Sequence, residues 1–328
     1  MQPTQSILSC DWGTSNFRLR LVDTDSNSTI AEFESQSGIT QTYQQWKEAG
    51  EKPDTRLEFY LAQIRNGIEA LEKQQNIQLK NVPVVISGMA SSSIGMIELP
   101  YKDVPFLVDG SDLSIHTIPA STSFPHETLV ISGARTGNDV MRGEETQLAG
   151  CHQAAETHEQ LFIFPGTHSK HIAIHNGRVV TFKTYMTGEI FNLLSQKSIL
   201  SVSVTEGRNL SAGNNLHFFN KGVTESLQGN LLNHLFHIRT NQLFQQCTNE
   251  ENYYYLTGLL IGSELKDLQQ QPFPFIQIVS NTALAQYYQA ALNLLFAQQD
   301  VSIQIVDGGN AVTEGHVHIW KRTQKLYC

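Results

Sequence analysis

Hydrophobic positions in the first part of the chain change period. Residues 6–10 form a short apolar stretch, and Phe17, Leu19 and Leu21 alternate with polar or charged neighbours, as strands with one buried face do. Between them Asp11-Trp12-Gly13-Thr14-Ser15-Asn16 has the composition of a tight turn, and 29–33 adds a third strand. Leu57, Leu61, Ile64, Ile68 and Leu71 then recur every three or four residues and predict a buried helical stripe. Pro53 and Asp54 stand at its start, where a fixed φ and a capping oxygen are useful. Continuous apolar runs at 82–86 and 129–131 end in Ser87-Gly88-Met89 and Ser132-Gly133, the pattern of strands covered on both faces.

The second half repeats the plan. Strands are predicted at 161–164, 170–174 and 179–185, the last two joined by His175-Asn176-Gly177. Asn-Gly signals a hairpin because a type I′ turn needs positive φ at both central residues. Helical patterns fill most of 188–267 around a loop at 207–215. A strand at 275–279, a helix at 282–296, a strand at 301–306 and a closing helix at 311–320 follow. Two halves that each open with a β-meander predict an α/β chain whose plan resembles the two-lobed actin/hexokinase (ribonuclease H-like) fold. Each lobe would be a mixed sheet flanked by helices, the N-terminal lobe at 1–137 and the C-terminal lobe at 138–328, with the active site in the interlobe cleft.

Composition narrows the function classes. Of 328 residues 40% are hydrophobic, and 22 Lys plus Arg face 31 Asp plus Glu, a formal charge of −9. That argues against nucleic acid as partner, although a phosphate site needs local N–H groups and a metal rather than a basic chain. No apolar run suits a secretory signal or a membrane span. Cys10, Cys151, Cys247 and Cys328 lie far apart without a CxxC pair, so a reducing cytoplasm is expected. Neither GxxxxGK[ST] nor GxGxxG occurs, which weighs against P-loop and Rossmann mechanisms. Tyr253–Tyr255 and the Tyr287-Tyr288 pair could stack on a base, but helix packing is the better expectation.

Three motifs carry candidate chemistry. In the hairpin Asp11–Arg18, Gly13, Thr14 and Ser15 can turn N–H and O–H groups toward phosphate, while Asp11 can hold Mg²⁺ directly or through water. A second turn, Pro165-Gly166-Thr167-His168-Ser169-Lys170, follows another buried strand, and Lys170 adds a point charge. The third motif is Asn138-Asp139-Val140-Met141-Arg142-Gly143-Glu144-Glu145. There Asp139 is expected at a helix N-terminus, where a carboxylate can accept a hydroxyl proton during phosphoryl transfer. An ordinary N-cap is the competing explanation for Asp139.

Together with Ser87–Met89, Glu98–Tyr101, Met186–Glu189 and Gly258–Glu264, these motifs resemble the 2-dehydro-3-deoxygalactonokinase family, in order from about residue 8 to 315. The resemblance implies ATP- and Mg²⁺-dependent phosphorylation of the terminal hydroxyl of 2-keto-3-deoxygalactonate. It implies Asp139 as the base, Asp11 as the phosphate-1 aspartate and Gly166-Thr167 as the phosphate-2 turn. Gly13, Thr14, Ser15, Ser169, Lys170 and Gly258 would complete the ATP site. Asn16, Arg18, Ser87, Gly88, Met89, Ser91, Arg142 and Glu144 would meet the sugar acid. A small-molecule kinase without nucleic-acid or membrane partners is thus expected, with a homodimer as its possible assembly. Two departures concern the loop Ala90–Met96, which lacks larger polar residues, and Ser280-Asn281, where such kinases place glycines. The alternatives are a phosphohydrolase of the same fold and a non-catalytic nucleotide-binding regulator. Arg18, Arg142 and Lys170 are the candidate cations for the substrate carboxylate.

Overall fold

The chain opens with strands β1 (Ser6–Trp12), β2 (Phe17–Asp23) and β3 (Thr29–Ser35), seen in a computed structural model that describes residues 5–50, 52, 55–151, 159–271, 273–280 and 283–326. Helices α1 (Ile39–Glu48) and α2 (Arg56–Gln75) lead into β4 (Val84–Gly88). Short strands β5 (Lys102–Asp103), β6 (Phe106–Leu107) and β7 (Ile115–Ile118) precede β8 (Thr128–Ile131). A hairpin of β9 (Ala134–Arg135) and β10 (Val140–Met141) then feeds α3 (Glu144–Gly150).

The plan begins again with β11 (Gln160–Phe164), β12 (Ser169–His175) and β13 (Arg178–Tyr185). Helices α4 (Thr187–Lys197), α5 (Asn215–Ser226), α6 (Leu231–Leu243) and α7 (Asn249–Leu265) come next. Strand β14 (Phe275–Val279), α8 (Leu284–Leu295), β15 (Ser302–Val306) and α9 (Gly308–Leu326) complete the chain.

Strand order reveals the duplication. The first sheet runs β3-β2-β1-β4-β8-β7, and the second contains β13-β12-β11-β14-β15. In both, the opening strands pair antiparallel, while the first strand pairs parallel with the fourth and the fourth with the fifth of that series. This is the ribonuclease H-like order, used twice, as in the actin/hexokinase architecture. The expected I′ turn is present, with Asn176 at φ 50° and Gly177 at φ 68°.

Each sheet has its own apolar core. In the first, the α2 stripe buries Tyr60, Leu61, Ile64, Ile68 and Leu71 against Trp12, Phe17 and Leu19. The expected start of that helix at Pro53 and Asp54 lies outside the described residues. In the second, α7 is apolar nearly all round and is therefore enclosed, with Tyr254, Tyr255, Leu256, Leu259 and Ile261 buried.

Contacts divide the chain into two compact units. One comprises Met1–Gln153, Gly177–Thr181 and Gly308–Cys328, the other Ala154–Asn176 and Phe182–Asp307. This differs from the expected boundary at 137/138, because α3 and the closing helix α9 pack together in the first unit. A Cβ on Gly150 would sit 2.0 Å from the Ala311 carbonyl oxygen, and one on Gly315 would sit 2.0 Å from that of Thr146. Paired glycines let the two helices touch backbone to backbone. Beneath them His316 on α9, buried and neutral with its pKa pushed down to about 3 by burial, meets Ser9 Oγ on β1 at 2.7 Å.

Candidate active site

In the first unit, the parallel strands β1 and β4 end side by side, with Asp11 opposite Ser87 and Trp12 opposite Gly88. Crevices beyond the carboxyl ends of parallel strands are the usual ligand sites of α/β sheets. Trp12 pairs with Phe17 to close the β1–β2 hairpin, whose tip Thr14-Ser15-Asn16 is exposed. The carbonyls of Gly13, Thr14 and Ser15 accept from Ile39, Thr40 and Gly38 ahead of and at the start of α1. Among the described residues no hydrogen bond uses the N–H of Thr14 or Ser15, so these donors remain available to an anion. An open groove of about 870 Å³ lies beside the tip, bordered by Thr14, Ser15, Asn16, Thr40 and Tyr43.

Asp11 retains 25% of its side-chain surface. Burial is the main influence that raises its carboxyl above the usual range; Arg18 and Arg20 lower it, and Glu144 and Glu34 raise it. Arg18 lies 3.7 Å from Asp11 and 2.9 Å from Glu34, so its charge is already engaged by acids. Ser87 Oγ is buried with no hydrogen-bond partner among the described residues. Gly88 takes φ 85°, and any Cβ there would meet the Trp12 carbonyl oxygen at 2.7 Å. Met89 is partly buried and packs against the core of the first unit.

The Asp139 motif differs from expectation. Asp139 lies in the turn of the β9–β10 hairpin, its carbonyl accepting from Thr136 N–H at 2.9 Å and its carboxylate from Val140 N–H at 2.7 Å. The helix begins five residues later, so Glu144 and Glu145 occupy the helix N-terminus foreseen for Asp139. Two short strands intervene because Val140 and Met141 pair with Arg135 and Ala134. Gly143, at φ 113°, makes the sharp entry into α3. Glu144 accepts the Arg142 N–H at 3.1 Å and acts electrostatically on Asp11. Glu145 is fully buried, accepts the Gly143 N–H at 2.8 and 2.9 Å, and is raised to about 7 by burial and then by Glu144. The two adjacent glutamates behind a glycine were readable in the sequence as alternative carboxylates, but the complete burial of Glu145 was not.

The Ala90–Met96 loop is a tight cap on β4. Ser91 and Ser92 are buried, and Arg56 and Tyr60 donate to the carbonyls of Ser93 and Ile94.

In the second unit, Gly166 and Thr167 turn between β11 and β12. Open space surrounds Gly166, with nothing within 4 Å of a Cβ built there. The other side of the turn is held by α4. Glu189 N–H donates to the Thr167 carbonyl at 3.0 Å, and His168 Nε2 lies 2.5 Å from a Glu189 carboxylate oxygen. Lys170 is buried, with Nζ donating to the His168 carbonyl at 3.0 Å. Ser169 is also buried and meets the Tyr288 hydroxyl at 2.7 Å, so its own hydroxyl braces the turn. That bracing extends inward: Glu264 accepts from Tyr288 at 2.7 Å, from Thr187, and from His171 Nε2 at 2.8 Å.

A cavity of about 540 Å³ opens from Gly166 and Thr167 and is walled by Gly188, Phe191, Tyr253 and Tyr287. This volume is suited to a ligand of nucleoside size. Tyr254 and Tyr255 instead fill the core, as expected of helix packing, while the buried Tyr288 also borders the cavity. Gly258 is a packing residue: a Cβ there would lie 2.1 Å from the Phe219 carbonyl oxygen on α5, which removes it from contact with a phosphate.

A duplicated ribonuclease H-like fold with a polar turn after the first strand of each series, and carboxylates at the strand ends, marks a phosphotransferase of the sugar-kinase class. The chain belongs to the 2-keto-3-deoxy-galactonokinase family, whose sequence profile matches residues 11–319. It is 30% identical over 315 residues to a probable 2-dehydro-3-deoxygalactonokinase of Rhizobium meliloti (strain 1021), covering 93% of each chain. It is 27% identical over 321 residues to the 2-dehydro-3-deoxygalactonokinase of Escherichia coli (strain K12), covering 95% of this chain and 96% of the other. A crystal structure of a candidate 2-dehydro-3-deoxygalactonokinase from Sinorhizobium meliloti superposes with a TM-score of 0.76 at 27% identity, covering 98% of this chain and 99% of that one. The chain is accordingly a kinase of carbohydrate metabolism with an alcohol group as acceptor. Among the described residues, no helix is long and apolar enough to cross a membrane.

Proposed function

We propose that the chain transfers the γ-phosphoryl group of ATP to the terminal hydroxyl of 2-dehydro-3-deoxygalactonate or a close keto-deoxy sugar acid. The observation that carries this reading is the electrostatic influence of Glu144, at the start of α3, on Asp11, at the end of β1. One carboxylate suits a metal–phosphate and the other a proton. No group of three His, Cys, Asp or Glu among the described residues forms a metal cage. Mg²⁺ does not need one, because it is commonly held by one or two carboxylates plus substrate phosphates and waters. Asp11 fits that role, within the electrostatic reach of Glu144. When bound, Mg²⁺ neutralises charge on the phosphate oxygens.

The chain's own groups supply the remaining tasks. In the first unit, Thr14 and Ser15 N–H groups donate to phosphate oxygens; in the second, the aromatic cavity beside the Gly166-Thr167 turn takes the nucleoside. Glu144 accepts the proton of the attacking hydroxyl. Its place at the helix start and its electrostatic influence on Asp11 support it over Asp139, which sits in a hairpin turn and is not among the charges acting on Asp11.

The test is ADP formation from ATP and Mg²⁺ across a panel of aldonic and keto-deoxy sugar acids. ADP should form rapidly with 2-keto-3-deoxygalactonate and slowly without it. Equal rates with and without any sugar acid would establish a hydrolase and reject the kinase reading.

A further inference from the structure

A sugar acid brings a carboxylate toward a site that already holds the acids Asp11 and Glu144, and like charges repel. A cation not already committed to an acid is needed to receive it. Arg18 is shared by Asp11 and Glu34, Arg20 is paired with Glu32, and Arg135 with Asp103. Lys170 is buried with its ammonium donating to its own turn.

Arg142 is different. Its Nη1 donates to Ser91 Oγ at 2.6 Å and to the Ser91 carbonyl, both neutral acceptors. Its guanidinium lies over the Tyr101 ring, 4.3 Å from the centroid. Among the described residues it makes no salt bridge, and it is not among the charges acting on Asp11 or Glu145. Arg56 and Arg65 are also without a carboxylate, but they stand on α2 and anchor the carbonyls of Ser93 and Ser123. Arg142 instead directly precedes Gly143 and Glu144, and Gly143 lies alongside Gly88 at the end of β4.

We propose that Arg142, oriented by Ser91 and Tyr101, binds the carboxylate of the sugar acid and makes the enzyme select acids over neutral sugars. Stacking on Tyr101 and the tether to Ser91 hold the planar fork in place, so little side-chain freedom is lost when a carboxylate docks on its remaining N–H groups. The small, buried Ser91 is then a specificity element acting through Arg142, which gives the departure in the Ala90–Met96 loop a physical role. The proposal rests on the sugar-acid reading of the site, but its test does not depend on phosphoryl transfer.

Calorimetric binding of 2-keto-3-deoxygalactonate is compared with binding of its carboxamide, which differs at the charged group. Wild type binds the acid more tightly than the amide. Arg142→Gln weakens acid binding by about 10- to 100-fold, the effect of losing a charge-assisted hydrogen bond, and hardly changes amide binding. Arg142→Lys keeps the charge without the fork and falls between them. Tyr101→Leu leaves the charge but frees the guanidinium, and also weakens the acid selectively. Unchanged acid binding in Arg142→Gln overturns the proposal, as does equal loss of acid and amide in a variant with a normal melting temperature. Absence of any acid preference in wild type overturns it too. If wild type binds the acid through Arg142 yet forms no ADP, this inference stands and the kinase reading falls.

Discussion

Replacing Glu145 by glutamine should remove a pH dependence of stability that the native residue imposes. The Glu145 carboxyl is fully buried; burial first, and Glu144 second, raise it from 4.5 to about 7. The unfolded chain releases this proton near 4.5, while the folded chain holds it up to about 7. Between those values the folded state binds more protons, so stability falls as pH rises. The contribution is complete below the unfolded value and is lost through the folded one. At about 1.4 kcal/mol per pH unit, the interval corresponds to about 3 kcal/mol. Glutamine retains an oxygen for the Gly143 N–H, which now donates at 2.8 and 2.9 Å to the two carboxylate oxygens, and it does not ionise. Urea unfolding of both proteins from pH 5 to pH 8 is the assay. The difference in unfolding free energy should move in favour of Glu145→Gln by about 2.5 kcal/mol across that range, the remainder falling below pH 5. Parallel pH profiles would refute the argument, because they would mean that Glu145 is ionised or solvated in the folded chain.

Glu144→Gln should lower kcat by roughly 10²–10⁴ with little change in melting temperature, whereas Asp139→Asn should stay near wild type; the reverse pattern in steady-state kinetics would return the base role to Asp139. Gly166→Ala should leave the melting temperature unchanged, since its Cβ meets nothing within 4 Å, and raise KM for ATP more than for the sugar acid. Gly188→Ala puts a Cβ 2.5 Å from the Gly166 carbonyl oxygen and 2.8 Å from Thr167 Cα. It should cost about 1–3 kcal/mol in denaturant unfolding; stability equal to wild type would show that α4 does not clamp the turn. Glu264→Leu strips the acceptor from His171, Thr187 and Tyr288. A loss of about 3–5 kcal/mol is expected in the same assay, and a loss below about 1 kcal/mol would mean that the buried network contributes little.

Periodicity determined much of this protein before any coordinates. The alternation at Phe17, Leu19 and Leu21, the stripe from Leu57 to Leu71 and the Asn176-Gly177 turn are local signals, set by side-chain direction and backbone sterics within a few residues. They were sufficient for the duplicated meander and for two polar turns in corresponding places. Helix α1 was not anticipated; its polar stretch buries only Ile39, Thr42 and Trp46, too sparse a stripe to read. Tertiary structure alone decided the rest. Asp139 looked like a helix start because Asn and Asp cap helices, but pairing of β10 with β9 displaced α3 to Glu144. Gly258 looked like a phosphate glycine, yet its role is set by α5, some forty residues away in sequence. The return of α9 to the first unit depends on Gly150 and Gly315 meeting across 165 residues. Ser91 became legible only through Arg142, and Glu145 only through complete burial. Sequence spacing constrains neighbours along the chain, whereas burial, charge compensation and helix contact depend on which distant segments share a volume.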